Sequence, residues 1–166
     1  YSGFNPLLIK KFLKNNNVKI CYDPCGGWGH RMLGATEIDC YIYNDFSKGT
    51  FDGVNKIKDF LGLFNVVTYN KDANNFMPKE DFDAMFTCPP YYNTEHYECG
   101  DFNNMEEYNN FIDNLFNIFR KKETCNIFGI VIREDLIGEH NDYSEKITLK
   151  TKLSKHFHDE KQNKKY

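Results

Sequence analysis

Short apolar runs recur near residues 20, 42, 67, 85 and 128, and segments with helical spacing lie between most of them. Parallel strands need a long crossover, usually a helix, so this alternation steers the chain toward βαβ units and an α/β fold with a mostly parallel, doubly wound sheet. Asn5-Pro6 reads as a helix cap followed by proline at the first helical position, with Leu8, Ile9, Phe12 and Leu13 forming a stripe behind it. Strands are expected over 18–22, 41–44, 66–69 and 84–87. Gly26 to Ala35 reads as a turn entering a helix, and Ser47 to Leu61 as a helix stopped near Gly62. Asn104 and Glu107 have the spacing of a capping box. Behind them Tyr108, Phe111, Ile112, Leu115, Phe116 and Phe119 keep the i, i+3, i+4, i+7 rule. The run 125–132 is apolar almost throughout, as expected of a strand covered on both faces. Beyond residue 133 the pattern fades. An edge strand is expected over 147–153, closing a domain 1–153, with 154–166 as a polar tail.

At 166 residues the chain suits one domain. Leu, Ile, Val and Phe make up about a quarter of it, above the roughly one-fifth below which chains stay disordered. A net charge of −3 excludes a uniformly basic nucleic-acid binder, though not a local basic patch. No apolar run is long enough to cross a membrane as a helix, and no basic-then-apolar leader is visible. Lys outnumbers Arg 18 to 3, and Asn, Phe and Tyr are abundant, which reads as genomic bias rather than function. The six cysteines include no C-x-x-C and form no knuckle with the histidines, so reduced, mostly buried thiols are expected rather than a metal site.

The most informative stretch is Asp23-Pro24-Cys25-Gly26-Gly27-Trp28-Gly29, where an acidic residue ends the first strand and three glycines lead into a helix. In open α/β sheets ligands bind outside the carboxyl ends of strands, at the point where strand order reverses. Glycines there let a ligand approach the backbone. The dinucleotide pattern G-x-G-x-x-G is absent, and Asp23 would repel a phosphate but suit an ammonium group. The bland alternative is a tight turn that binds nothing. Asp45 ends the second strand 22 residues after Asp23, the usual distance of a ribose-binding carboxylate, and Asp72 follows the third strand, where it suits an adenine amino group. Each alone is an ordinary loop residue. Together the three sketch a ligand with an ammonium, a ribose and an adenine, and S-adenosylmethionine matches it.

The fourth strand runs into Thr87-Cys88-Pro89-Pro90-Tyr91. Two prolines make a rigid exit and remove two N–H donors, leaving carbonyls as acceptors beside an aromatic face. That combination suits a planar group bearing an NH2, although Pro-Pro also serves a plain turn.

Together these segments resemble the cofactor and catalytic motifs of amino-group DNA methyltransferases, phage or restriction-modification type, over roughly residues 1–133. The family's catalytic pattern is Asp, Asn or Ser, then Pro-Pro, then Tyr, Phe or Trp. The resemblance implies the Rossmann-like S-adenosylmethionine-dependent methyltransferase fold, shortened at the C-terminal side. It implies that Phe4, Asp23, Cys25, Gly26, Gly27, Gly29, Asp45 and Asp72 bind the cofactor, with Asp23 near its amino group. Cys88, Pro89, Pro90 and Tyr91 would be catalytic. Tyr91 would stack on a flipped adenine or cytosine, and the Pro89 carbonyl would accept from its exocyclic amine. DNA is the implied partner, no metal is needed, and the implied location is cytoplasmic, in a bacterial or virus-infected host cell.

Two departures stand out. Cys88 occupies the position of Asp, Asn or Ser; a thiol is a weak acceptor, so reduced activity is expected. No separate target-recognition domain is visible, so a second subunit is one source of sequence specificity. A catalytically silent cofactor-binding or scaffold subunit, or an RNA or protein methyltransferase, are the competing readings.

Overall fold

The computed structural model describes residues 4–93, 101–133 and 136. The elements are α1 (Pro6–Asn15), β1 (Ile20–Asp23), α2 (His30–Gly34), β2 (Cys40–Asn44), α3 (Lys48–Phe60), β3 (Val66–Tyr69), β4 (Ala84–Thr87), α4 (Met105–Lys121) and β5 (Ile127–Ile130). The expected edge strand over 147–153 and the boundary at 153 lie outside the described residues.

Local signals set the helix ends. The Asn5 side chain accepts from Leu7 N at 3.0 Å, with Pro6 at the first helical position. Ser47 caps α3 through Thr50 N. At α4 the Asn104 side chain accepts from Glu107 N at 2.9 Å, but Glu107 reaches back to Asn103 N rather than to the cap residue, so the box is displaced by one residue.

All strand pairs are parallel, in the order β3-β2-β1-β4-β5. The chain lays β2 and β3 on one side of β1, then returns to place β4 on the other, so the strand order reverses between β1 and β4. Side chains alternate between two cores as the period of two requires. Cys21, Tyr41, Tyr43, Ala84 and Phe86 pack with Ile9, Leu13, Met32 and Val54 from α1 to α3. Tyr22, Ile42 and Met85 pack with Tyr108, Phe111, Ile112 and Leu115 from α4. Fully burying a side chain such as Leu115, which has no exposed surface, contributes roughly 1.5–3 kcal/mol.

The 125–132 run meets a core on each face, Ile127 and Val131 on one side and Phe128 and Ile132 on the other. The strand is shorter, Ile127–Ile130, and half-buried throughout. Among the described residues it pairs with β4.

Candidate active site at the carboxyl ends of the strands

The glycine turn leaves β1 and the Pro-Pro segment leaves β4, its neighbour across the reversal of strand order. Both therefore lie at the carboxyl ends of adjacent strands, where α/β sheets hold ligands.

The turn is built from behind. Gly26 N donates to the Asn44 carbonyl at 2.7 Å, and the Tyr43 hydroxyl donates to the Gly27 carbonyl at 2.7 Å. A Cβ on Gly26 would sit 2.0 Å from the Tyr43 ring, so only glycine fits there. Gly27 takes φ +56° and Gly29 φ +79°, a backbone that other residues adopt at a cost. Around Gly27 a Cβ would meet nothing within 4 Å, so a ligand can approach the chain at that point.

Asp45 follows β2 and faces this turn. Its two carboxylate oxygens accept from Gly27 N at 2.8 Å and Ser47 N at 2.9 Å. Each oxygen has two acceptor positions, so capacity remains for hydroxyl donors. Burial raises the Asp45 carboxyl above its ordinary range, while the two backbone N–H groups pull it down. Asp72 holds its own turn, accepting from Asn74 N and the Asn75 amide.

Asp23 is placed differently. Its carboxylate has no exposed surface. It accepts from Arg31 Nε at 2.6 Å, the Tyr41 hydroxyl at 2.5 Å, the Thr87 hydroxyl at 2.9 Å and Cys25 N at 3.3 Å. A second Arg31 nitrogen lies 3.4 Å away and also donates to the Cys25 carbonyl. With both oxygens engaged, Asp23 holds the backbone of the turn through Cys25 N. Burial alone would push the Arg31 guanidinium down, but the Asp23 carboxylate outweighs it and keeps Arg31 charged. Burial, and then Asp23, push the Tyr41 hydroxyl up. The Cys25 thiol is pushed up by burial, then by Asp23 and Asp45, so Cys25 serves the turn through its backbone.

Phe4 packs edge-on against Phe86, with ring centroids 6.0 Å apart, and the Arg31 guanidinium lies 5.3 Å from the Phe4 ring centre. On β4, Thr87 is buried and Cys88, Pro90 and Tyr91 are half-buried, with Pro89 buried. The Cys88 sulfur lies 3.5 Å from the Tyr91 hydroxyl, so the ends of this four-residue motif touch.

Sequence reading gave no role to Arg31, Tyr41, Asn44 or Thr87. Asn44 is fully buried and ties the Pro24 carbonyl to both backbone groups of Lys71. Asn70 similarly bonds the Asp45 and Phe46 carbonyls. The abundance of Asn and Tyr hid these residues. The available signal for Arg31 was an arginine, one of three in the chain, two residues after the last glycine. Among the described residues no group of three His, Cys, Asp or Glu side chains is placed to hold a metal, and no helix is long and apolar enough to cross a membrane.

No protein-family model and no curated protein matches the sequence. Solved structures do. The Escherichia coli protein yhhF, assigned as a methyltransferase, aligns with a TM-score of 0.54 at 14% identity, over 72% of this chain and 61% of its own. The SAH-bound Podospora anserina methyltransferase PaMTH1 aligns at 0.51 and 12% identity, over 73% of this chain and 47% of its own. TrmN from Thermus thermophilus aligns at 0.51 and 18% identity, over 68% of this chain and 34% of its own. The chain thus spans less than two thirds of each neighbour's length. At these identities the likeness is one of fold, and the strand order and alternating cores agree with it: the chain has the Rossmann-like fold of methyltransferases.

Proposed function

We propose that the chain is an S-adenosylmethionine-dependent DNA methyltransferase acting on the exocyclic amino group of a flipped adenine or cytosine. The observation that carries this reading is the pairing of two exits: a glycine turn open at Gly27 and flanked by Asp45, and the Pro89-Pro90-Tyr91 segment on the adjacent strand. The residues fit the cofactor. Gly26, Gly27 and Gly29 would line its methionine end, Asp45 has acceptor capacity for ribose hydroxyls, and Asp72 stands after β3 for the adenine. Phe4 would close the near side of the same site.

S-adenosylmethionine, when bound, supplies a methyl group already activated on a sulfonium, so neither a metal nor a covalent enzyme intermediate is required. The chain's own work is to prepare the nucleophile. An exocyclic amine shares its lone pair with the ring. The Pro89 carbonyl, with no donor N–H on Pro90 beside it, would accept one amine hydrogen. Cys88 occupies the motif position that would supply the second acceptor, and two such bonds would localise the lone pair on nitrogen. Tyr91 would stack on the ring and hold it out of the duplex. A thiol accepts weakly, so Cys88→Ser should raise the rate several-fold. This same cysteine favours a second reading, a cofactor-binding subunit silent until paired. Sequence specificity would then come from a second subunit, in a cytoplasmic assembly on DNA.

Calorimetric titration with S-adenosylmethionine tests the site. Micromolar binding that weakens at least about tenfold in Asp45→Ala is expected, each lost charged hydrogen bond being worth about 1.5–3 kcal/mol. A folded chain that does not bind would remove the proposal. Labelled cofactor offered with separate DNA, RNA and protein pools then identifies the substrate class, and label entering only RNA or protein would refute the DNA assignment.

A further inference from the structure

The buried Asp23 carboxylate touches both halves of the site. It receives Cys25 N and Arg31 from the glycine-turn side and the Thr87 hydroxyl from β4, one residue before Cys88. Tyr41 adds a bond from β2. Asp23, Arg31, Tyr41 and Thr87 are all buried. Backbone pairing between β1 and β4 stops short of this level: the paired residues are Cys21 with Ala84 and Tyr22 with Met85. On its other side Thr87 is anchored by Val131 N, which donates to its carbonyl at 2.9 Å. The side-chain bond between Asp23 and Thr87 therefore joins the two strands beyond their last paired residues.

We propose that Thr87 is a positioning residue, whose bond to the Arg31-clamped Asp23 carboxylate sets the Cys88-Pro89-Pro90-Tyr91 exit relative to the cofactor turn. The inference rests on the methyltransferase reading above. The ion pair fixes the carboxylate from one side: Arg31 is held to Asp23 and to the Cys25 carbonyl at once, so the turn, the carboxylate and Thr87 move together. Transfer depends on the distance between the methyl carbon and the amine nitrogen, and a misplacement of about 1 Å costs about a hundredfold. A ligand that settles the Cys25-to-Gly27 backbone would stiffen the Pro-Pro exit through the same carboxylate.

Hydrogen exchange of the segment 84–93 tests this, with and without S-adenosylmethionine, in the native chain, Thr87→Val and Thr87→Ser. Valine keeps the shape and removes the hydroxyl; serine keeps the hydroxyl. The cofactor is expected to slow exchange at least about threefold in the native chain and in Thr87→Ser. In Thr87→Val the slowing should vanish while cofactor affinity stays within about threefold. The turnover rate on DNA should fall about ten- to a hundredfold in Thr87→Val and recover in Thr87→Ser. If Thr87→Val does not fold, Arg31→Lys takes its place, since an ammonium lacks the planar fork that serves Asp23 and the Cys25 carbonyl together, and it should lose at least half of the slowing. Cofactor binding with undiminished slowing in the variants would overturn this inference and leave the methyltransferase reading standing. A native chain that binds no cofactor would overturn both.

Discussion

Replacing Arg31 by methionine keeps most of the side chain's volume and removes its charge, leaving Asp23 as a carboxylate with no exposed surface and no cation. Three contacts go together: the ion pair at 2.6 Å, the bond to the Cys25 carbonyl, and the stacking of the guanidinium over Phe4 at 5.3 Å. Removing one partner of a buried pair costs about 3–5 kcal/mol, and the cation–π contact adds roughly 0.5–1 kcal/mol. The terms overlap because Tyr41, Thr87 and Cys25 N still donate to Asp23, so about 4 kcal/mol is expected for the whole change. Against the usual 5–15 kcal/mol for a domain, that is a large fraction. Urea unfolding at neutral pH, followed by far-ultraviolet circular dichroism, should show the midpoint falling by about 2 M for a slope near 2 kcal/mol/M. Adding Asp23→Asn removes the stranded charge, so the double variant should be more stable than the sum of the singles by at least about 1–2 kcal/mol. A midpoint shift below about 0.5 M in Arg31→Met, or strictly additive singles, would refute the view of Asp23 as a buried charge held by Arg31.

Gly26→Ala should cost more than about 2 kcal/mol in the same unfolding assay, because the Tyr43 ring it meets at 2.0 Å is itself buried in the core; a loss under about 0.5 kcal/mol would mean the ring yields freely. Among the described residues the buried Tyr22 hydroxyl has no partner, so Tyr22→Phe should leave stability unchanged or raise it by up to about 1 kcal/mol, and a clear loss would reveal a bond to that hydroxyl. Burial holds the hydroxyls of Tyr22, Tyr41 and Tyr43 above their ordinary value of 10.0. A raised folded pKa gives stability that is fully present below 10.0 and is lost as pH rises above it, at about 1.4 kcal/mol per pH unit for each tyrosine. Urea midpoints measured across that range should therefore fall steeply on the alkaline side; a flat profile would mean the three rings ionise in place.

Much of this fold is legible from near neighbours in the chain. The caps at Asn5, Ser47 and Asn104 act over two or three residues, and the stripe from Tyr108 to Phe119 reports a single helix face. The strand expected over 66–69 is found there, and that over 84–87 likewise. The first strand lies later than expected, Ile20–Asp23, because pairing with β2 extends it through Asp23. The 125–132 run yields a shorter strand, Ile127–Ile130, for a related reason. An apolar run reports the wish to be buried, whereas the length of a strand is set by the residues that pair with it.

The sequence by itself determined the alternation of strands and helices, the glycine turn after Asp23 and the proline exit after Thr87, since each depends on backbone preferences within a few residues. Only the tertiary structure decided that β4 returns to lie beside β1, so that two motifs more than sixty positions apart meet at the same end of the sheet. It alone decided what Asp23 does. A carboxylate at the end of a strand reads as a ligand contact, but with Arg31, Tyr41 and Thr87 folded around it the same carboxylate becomes a buried tie between α2, β2 and β4. The physical reason is that a buried charge takes its role from the partners that surround it, and three separate elements supply them here.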